Sequence, residues 1–316
     1  MNAVSSTSAS CPDCNAIETL LIDNIPDAIE FCGVAVHEGL EGGGLWKCTE
    51  CHLRFREPAL DAAQLGELYR QVDPSYWSGP ASERGDFRSA REAILLHSHP
   101  GARILDVGCG DGSFLDSLGT PYGKFGLEIN ADALRRASQK GVTALGADLE
   151  NITAPEMRFD VITAIDVIEH MKSPGAFVAK LASKLSPGGL LILSTGNADS
   201  WIWKLCGARY WYCALPEHIA FISPKWIECV CNRERLELVE LSYFSHAQKS
   251  ALKMTKQAIS ASLYIFMPSI YRTLKKWRDG AYGEKAKRLH QQPPGLDQAT
   301  DHLLAVIRKS KNLTIS

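Results

Sequence analysis

From residue 101 onward, short apolar runs alternate with stretches whose apolar positions recur every three to four residues. Residues 103–107, 125–129, 142–145, 159–165 and 190–194 have the compact apolar pattern of strands. Residues 113–118, 131–140, 174–185 and 225–232 have helical spacing, and 236–243 and 302–309 read as two further strands. Alternation of this kind predicts an α/β fold, a mostly parallel sheet with helices on both faces. Upstream the pattern changes. Leu60, Leu65, Leu68 and Tyr69, then Ala90, Ile94 and Leu95, recur at helical spacing, so 59–100 is expected to be a helical connector. Residues 1–58 hold short apolar runs broken by Gly42-Gly43-Gly44, as in a small β-ribbon.

Composition narrows the class. The chain has 316 residues, 45% apolar and 22% charged, enough for a sizeable core. Its 34 basic and 36 acidic residues give a net charge of −2, which argues against a wholesale nucleic-acid binder. The balance is uneven along the chain. Residues 249–290 carry ten bases (Lys249, Lys253, Lys256, Arg272, Lys275, Lys276, Arg278, Lys285, Lys287 and Arg288) against Asp279 and Glu284, so +8 faces −10 elsewhere. Ile259, Leu263, Phe266, Ile270 and Leu274 are spaced to line one helical face there. Three readings stand: a surface for an anionic membrane, a cover for an anionic substrate, or a helical cap or dimer contact with a solvated rim. No apolar run approaches the roughly 18 residues that span a bilayer, and residues 1–10 have no basic flank or apolar run of a secretory signal.

Ten cysteines are many for a chain with no visible export signal, and without export paired cysteines read first as metal ligands. Cys11-Pro-Asp-Cys14 and Cys48-Thr-Glu-Cys51 are two C-x2-C knuckles able to set four thiolates tetrahedrally around one structural zinc ion. Asn15 follows the first, and asparagine tolerates the left-handed backbone that such a turn requires. Cys32, lying between the pairs, is left as a spare or alternative ligand.

The strand at 103–107 runs into Gly108-Cys-Gly-Asp-Gly112, a loop in which glycines let the backbone approach a ligand closely. Ser113 stands where a dinucleotide fingerprint has its third glycine, and no G-K-[ST] follows, which excludes a P-loop. Asp106 and Asp111 flank the turn with no Lys or Arg nearby in sequence. That acidity repels a pyrophosphate and suits the sulfonium and ammonium of S-adenosylmethionine. Gly108 and Gly110 would then cradle the cofactor, Glu128 would accept hydrogen bonds from the ribose hydroxyls, and Asp148 with Leu149 would lie beside adenine.

These residues resemble the class I S-adenosylmethionine-dependent methyltransferases. The resemblance runs over about residues 90–245, through Ile104-Leu-Asp-Val-Gly-Cys-Gly-Asp-Gly-Ser-Phe114, Gly126-Leu-Glu128, Gly146-Ala-Asp148, Phe159-Asp-Val-Ile-Thr-Ala-Ile-Asp-Val-Ile-Glu-His170 and Leu185-Ser-Pro-Gly-Gly189. It implies a Rossmann-like seven-stranded sheet whose last strand, here 302–309, is antiparallel. Residues 245–300 would then be a basic helical insertion within a domain covering 101–316, emerging beside the active site. Cys48-Thr-Glu-Cys51 followed by Leu53, Phe55 and Pro58, then Leu68-Tyr69 and Tyr76-Trp77, is similar to the zinc-ribbon methyltransferases, which often modify sugars, surface glycans or secondary metabolites. His52 stands where their ribbon usually has glycine.

Methyl transfer to a hydroxyl needs orientation and removal of a proton. His170, at the carboxyl end of the fourth strand, is the expected base, with Glu169 and the later Glu217-His218 pair near it in role. Asp166 is expected at the cofactor. Asp166, Glu169, His170 and His218 also resemble a divalent-metal site of some relatives, in which Glu is common at the position of Asp166. The alternative for Glu169 and His170 is a brace of the strand end. The aromatic run Trp201, Trp203, Tyr210, Trp211 and Tyr212 either stacks on a substrate or packs under a cap.

The expectation is therefore an enzyme that methylates a small or lipid-linked hydroxylated metabolite, a sugar or surface-glycan precursor first and a quinone-type aromatic hydroxyl at the membrane surface second. It is expected to be cytoplasmic, with peripheral contact at the inner membrane face through 249–290. A non-catalytic zinc-ribbon binding module is the contrasting class. Nucleic acid is not an expected partner, because Lys47, Arg54 and Arg56 are outnumbered by the acids of the ribbon segment.

Overall fold

The computed structural model describes residues 9–32, 34–72, 84–152, 154, 156–246, 250–279, 294 and 299–311. Tyr76-Trp77, Lys249 and the charges at 284–288 lie outside them.

The N-terminal part is built from β1 (Thr19–Asn24), β2 (Ala28–Phe31), β3 (Val34–Leu40), β4 (Gly44–Cys48) and β5 (Arg54–Glu57). Strands β2 and β3 form a hairpin, and α1 (Ala62–Gln71) packs on it through Leu65, Leu68 and Tyr69 against buried Phe31 and Cys32. Asp61 caps α1 by accepting from Gln64 N at 2.8 Å, while Gln64 Oε1 accepts from Asp61 N at 2.9 Å. Helix α2 (Gly85–His97) buries Ala90, Ala93 and Ile94. Leu95, expected on that inner face, is 62% exposed, because Ala93 takes its place in the buried stripe.

Next come β6 (Arg103–Val107), α3 (Ser113–Ser117), β7 (Gly123–Leu127), α4 (Ala131–Gln139), β8 (Thr143–Gly146), β9 (Phe159–Ile165), α5 (Pro174–Lys184) and β10 (Leu185–Gly196). Short helices α6 (Trp201–Cys206) and α7 (Trp211–Ala214) lead to β11 (Ala220–Phe221), α8 (Pro224–Glu234) and β12 (Leu236–Phe244). Two helices, α9 (Ala251–Phe266) and α10 (Pro268–Asp279), precede β13 (His302–Lys309).

Seven strands make one sheet in the order β12-β13-β10-β9-β6-β7-β8, with β13 antiparallel to both neighbours. Period-two alternation divides its side chains between two cores. Ile104, Val161, Ile192, Leu304 and Val306 meet the apolar residues of α2, α3 and α4. Leu105, Ile162, Leu191, Leu193, Ala305 and Ile307 meet those of α5 and α8. The strand ends differ by a few residues from the sequence expectation. Strand β7 closes at Leu127 rather than 129, because Glu128 turns its carboxylate back onto backbone amides.

The ribbon is not a separate bead. Leu53, Phe55 and three of its cysteines belong to the same core as α5 and α8. Its sheet runs β1-β4-β5-β11, so a strand from the far side of the chain completes it, pairing Ala220 with Phe55 and Phe221 with Arg54. Asp13, inside the first knuckle, accepts from Gly175 N at 2.6 Å and Trp226 Nε1 at 3.0 Å. No helix among the described residues is long and apolar enough to cross a membrane.

Candidate active site and cysteine cluster

Both knuckles close on one point. Cys11 Sγ lies 3.6 Å from Cys51 Sγ, and Cys14 Sγ lies 3.5 Å from Cys48 Sγ. All four sulfurs fall within 4.8 Å of one another. A tetrahedral zinc with bonds of about 2.3 Å gives sulfur–sulfur edges of about 3.8 Å, so these thiols fit that ion, whereas disulfides need about 2.05 Å. Asn15 and His52 both adopt left-handed backbone, with φ of 61° and 63°, directly after the two pairs. That conformation is why glycine is common at the position of His52. Cys11 is lowered to about 5, first by the hydrogen bond from Cys51, whose own thiol is raised. Cys32 is not a ligand alternative: it lies apart from the cluster, donating to Glu217 Oε1 at 3.3 Å.

The glycine loop sits at the carboxyl end of β6. Gly110 has φ +53 and a Cβ there would meet nothing within 4 Å, so the loop presents open backbone at that point. At Gly108, φ +76, a Cβ would press to 2.7 Å on Val167 Cγ2. Glu128 is fixed by Gly110 N at 2.9 Å and Asn130 N at 2.8 Å, one to each carboxylate oxygen, which leaves further lone pairs for a ligand. Asp106 lies beneath the loop, buried, and accepts from Thr163 Oγ1 at 2.6 Å. Burial, with Glu128 adding to it, pushes its carboxyl up to about 7 against the opposing Thr163 bond. Asp148 caps a single helical turn by accepting from Glu150 N at 2.7 Å, and this turn buries Leu149.

The loop is less isolated from cations than the sequence implies. Lys140, from the end of α4, reaches Asp111 and Ser113 Oγ, both at 2.8 Å. Arg84, assigned by sequence only to a connector, holds Asp86 through two oxygens and reaches Asp166 Oδ2 at 3.0 Å. Asp166 therefore turns toward Arg84 and does not join Glu169, His170 and His218, as the metal-site resemblance implied. It has left-handed backbone, φ 53°, and its Oδ1 is buried without a partner. Burial, then Asp86 and Glu169, raise its carboxyl well above the usual range. An orphaned acceptor and a crowd of carboxylates suit a ligand bringing positive charge.

Glu169, His170 and His218 converge at the carboxyl end of β9, each offering a ligand atom within 4.8 Å of the others. Buried Glu169 accepts from Tyr212 Oη at 2.6 Å and Thr195 Oγ1 at 2.9 Å. His170 Nδ1 lies 2.9 Å from the carbonyl of Glu217, and His218 Nδ1 lies 3.1 Å from that of Tyr212. A carbonyl can only accept, so each Nδ1 carries a proton, and Nε2 is the nitrogen that holds the lone pair whenever the ring is neutral. The rings stand edge to face at 5.0 Å. Burial first, then His170, hold His218 well below the usual imidazole value, so it is neutral. Two imidazoles tethered through Nδ1 beside a fixed carboxylate are placed so that Nε2 can accept a proton or ligate a divalent cation.

Of the aromatic run, Trp203, Tyr210 and Tyr212 are buried and stack on one another at 4.9 and 5.4 Å, so they pack rather than wait for a substrate. Trp201 is 67% exposed. Tyr212 braces Glu169, a role that nothing in local spacing announces; Tyr69 Oη, 3.4 Å from His170 Nδ1, is another such residue.

A family described as Methyltransferase domain matches residues 82–241. The chain is 30% identical over 177 residues to a ubiquinone biosynthesis O-methyltransferase of Burkholderia thailandensis, covering 50% of this chain and 76% of that protein. It is 31% identical over 163 residues to the enzyme of that name from Burkholderia cenocepacia, 47% and 70% respectively. Among solved structures, a chain of the Haloferax volcanii complex between the Trm112 methyltransferase activator and a methyltransferase has TM-score 0.50 at 14% identity, covering 71% of this chain and 90% of that one. The [4+2]-cyclase SpnF has TM-score 0.51 at 17% identity, covering 80% and 97%. These structural likenesses establish the fold alone.

Proposed function

The chain belongs to the methyltransferase-domain family, the class I S-adenosylmethionine-dependent methyltransferases, and from that premise we propose that it methylates a hydroxyl on an aromatic ring bearing an apolar tail. The observation carrying this is the pair of imidazoles, His170 and His218, each with Nδ1 held by a backbone carbonyl, gathered beside Glu169 at the carboxyl end of β9. The curated relatives that act in ubiquinone biosynthesis lend it support.

S-adenosylmethionine supplies an electrophilic methyl carbon. The residues that would hold it are Gly108 and Gly110 along its length, Glu128 at the ribose, Asp148 and Leu149 near adenine, and Asp106 and Asp166 toward its charged end. With the cofactor bound, His170 Nε2 would take the proton of the acceptor hydroxyl as its oxygen receives the methyl group. Glu217 and Tyr212 hold the two imidazoles in the tautomer that this requires. Cys11, Cys14, Cys48 and Cys51 would hold a structural zinc ion.

A second use of the same donors is a divalent cation on Glu169, His170 and His218, which would supply a Lewis acid to orient an acceptor oxygen. Turnover unchanged in chelator, with zinc still in the cysteine cluster, removes that use. The ribbon favours a sugar or glycan-precursor acceptor as the alternative substrate class. An acceptor panel separates the classes: transfer to a catechol with a short prenyl tail supports the aromatic assignment, and transfer only to nucleotide-linked or lipid-linked sugars overturns it.

A further inference from the structure

Helices α9 and α10 leave the sheet at its ligand edge, since β12 ends with Phe244 opposite His302, where β13 begins. Their inner side is anchored. Ala261 is buried in the cluster of Trp203, Cys206 and Tyr210, and Tyr264 meets Tyr271 edge to face at 5.2 Å, tying the two helices together. The outer side is bare and apolar. Leu252, Ile259 and Phe266 on α9 are 66%, 56% and 69% exposed; Ile270, Leu274 and Trp277 on α10 are 47%, 51% and 83% exposed. Spacings of seven, and of four then three, place each trio on one helical stripe. Lys253, Lys256, Arg272 and Lys276 are exposed beside them, and neither helix carries an acid before Asp279.

We propose that this hairpin is a docking surface for an anionic lipid bilayer. Its apolar stripes would enter the boundary between headgroups and acyl chains, and its bases would meet lipid phosphates. Charge selects this occupant. A second copy of the chain would bring the same bases face to face, and the core of a protein interface is depleted of such charge. Helices of 16 and 12 residues are too short to span a bilayer and long enough to lie along it. The docked orientation turns the ligand edge of the sheet toward the lipid, whatever the methyl acceptor is.

Flotation of the protein, prepared with zinc supplied, with vesicles tests this without any acceptor. Vesicles of phosphatidylcholine containing about one-third phosphatidylglycerol should carry the protein at low salt, and pure phosphatidylcholine should carry far less. The triple variant Lys253→Glu, Lys256→Glu, Lys276→Glu should lose about a hundredfold in partitioning. The double variant Ile270→Ser, Trp277→Ser should lose about tenfold. Both should bind S-adenosylmethionine as the parent does, which excludes misfolding. Absence of flotation with anionic vesicles at low salt overturns the proposal, as does flotation that neither variant changes. A parent dimer that Ile270→Ser converts to monomer overturns it in favour of a second copy of the chain.

Discussion

The Arg56 guanidinium donates through Nε to the carbonyl of His218 at 3.1 Å, joining the cysteine ribbon to the candidate catalytic loop. The same side chain, almost fully buried, donates to the carbonyls of Gly42 at 2.8 Å, Leu215 at 3.0 Å and Cys213. Its own amide donates to Ile219 O at 2.9 Å. Burial pulls Arg56 down to about 10, which still leaves a cation at neutral pH. One residue of the ribbon thus holds the turn that presents Glu217 and His218.

Arg56 is accordingly a positioning residue. Arg56→Met should leave four carbonyls without their donor and destabilise the fold by about 3–5 kcal/mol. Arg56→Lys keeps the charge but not the fork. It should fold, bind S-adenosylmethionine normally and lose kcat by tenfold or more (roughly 1.4 kcal/mol of barrier). Calorimetry and turnover on the two variants check this; unchanged kcat in Arg56→Lys contradicts it.

Loss of the cysteine cluster's capacity for zinc should be felt at the site. Cys14→Ser is expected to lower the zinc that the protein retains, reduce thermal stability and depress turnover together, because the first knuckle is pinned to α5 and α8 through Asp13. Metal analysis with a melting curve measures this. Full turnover in a zinc-free variant would separate ribbon from catalysis.

Glu128→Ala should weaken S-adenosylmethionine binding about ten- to a hundredfold, since it removes a prospective ribose acceptor and also frees Gly110 N and Asn130 N. Isothermal calorimetry reads the change directly. An unchanged Kd would place the cofactor elsewhere.

Asp106 gives a pH signature. Its carboxyl, ordinarily near 4, is raised to about 7 in the fold by burial first, so the native state binds more protons than the unfolded chain between those values. Stability from this group is present below the unfolded value and is lost as pH rises through the folded one. Asp106→Asn, which cannot ionise, should therefore gain on the ligand-free parent as pH rises from about 4 to about 7, by up to roughly 4 kcal/mol, then level off. Denaturant titrations across that range test it; a constant difference contradicts it.

What the sequence made legible was local. The strand into Gly108 and Gly110, the alternation that splits Ile104 from Leu105, and the paired cysteines are all written within a few neighbouring residues. The parts it hid depend on distant approach. Arg84 meets Asp166, and Tyr212 meets Glu169, across long stretches of chain whose spacing carries no signal. Strand β11 has only two residues, and it became a strand by pairing with β5 rather than by propensity. The alternatives left open for Cys32 and for the aromatic run share that cause: burial beside Glu217 and under α9, which decides between them, is a tertiary fact.

The proton acceptor is the central claim. The most direct measurement is the methyl-transfer rate at neutral pH of His170→Ala beside the parent, with an aromatic hydroxyl acceptor and saturating S-adenosylmethionine. The rate should fall roughly a hundred- to ten-thousandfold with cofactor binding intact. A His170→Ala enzyme that keeps the full rate would contradict it.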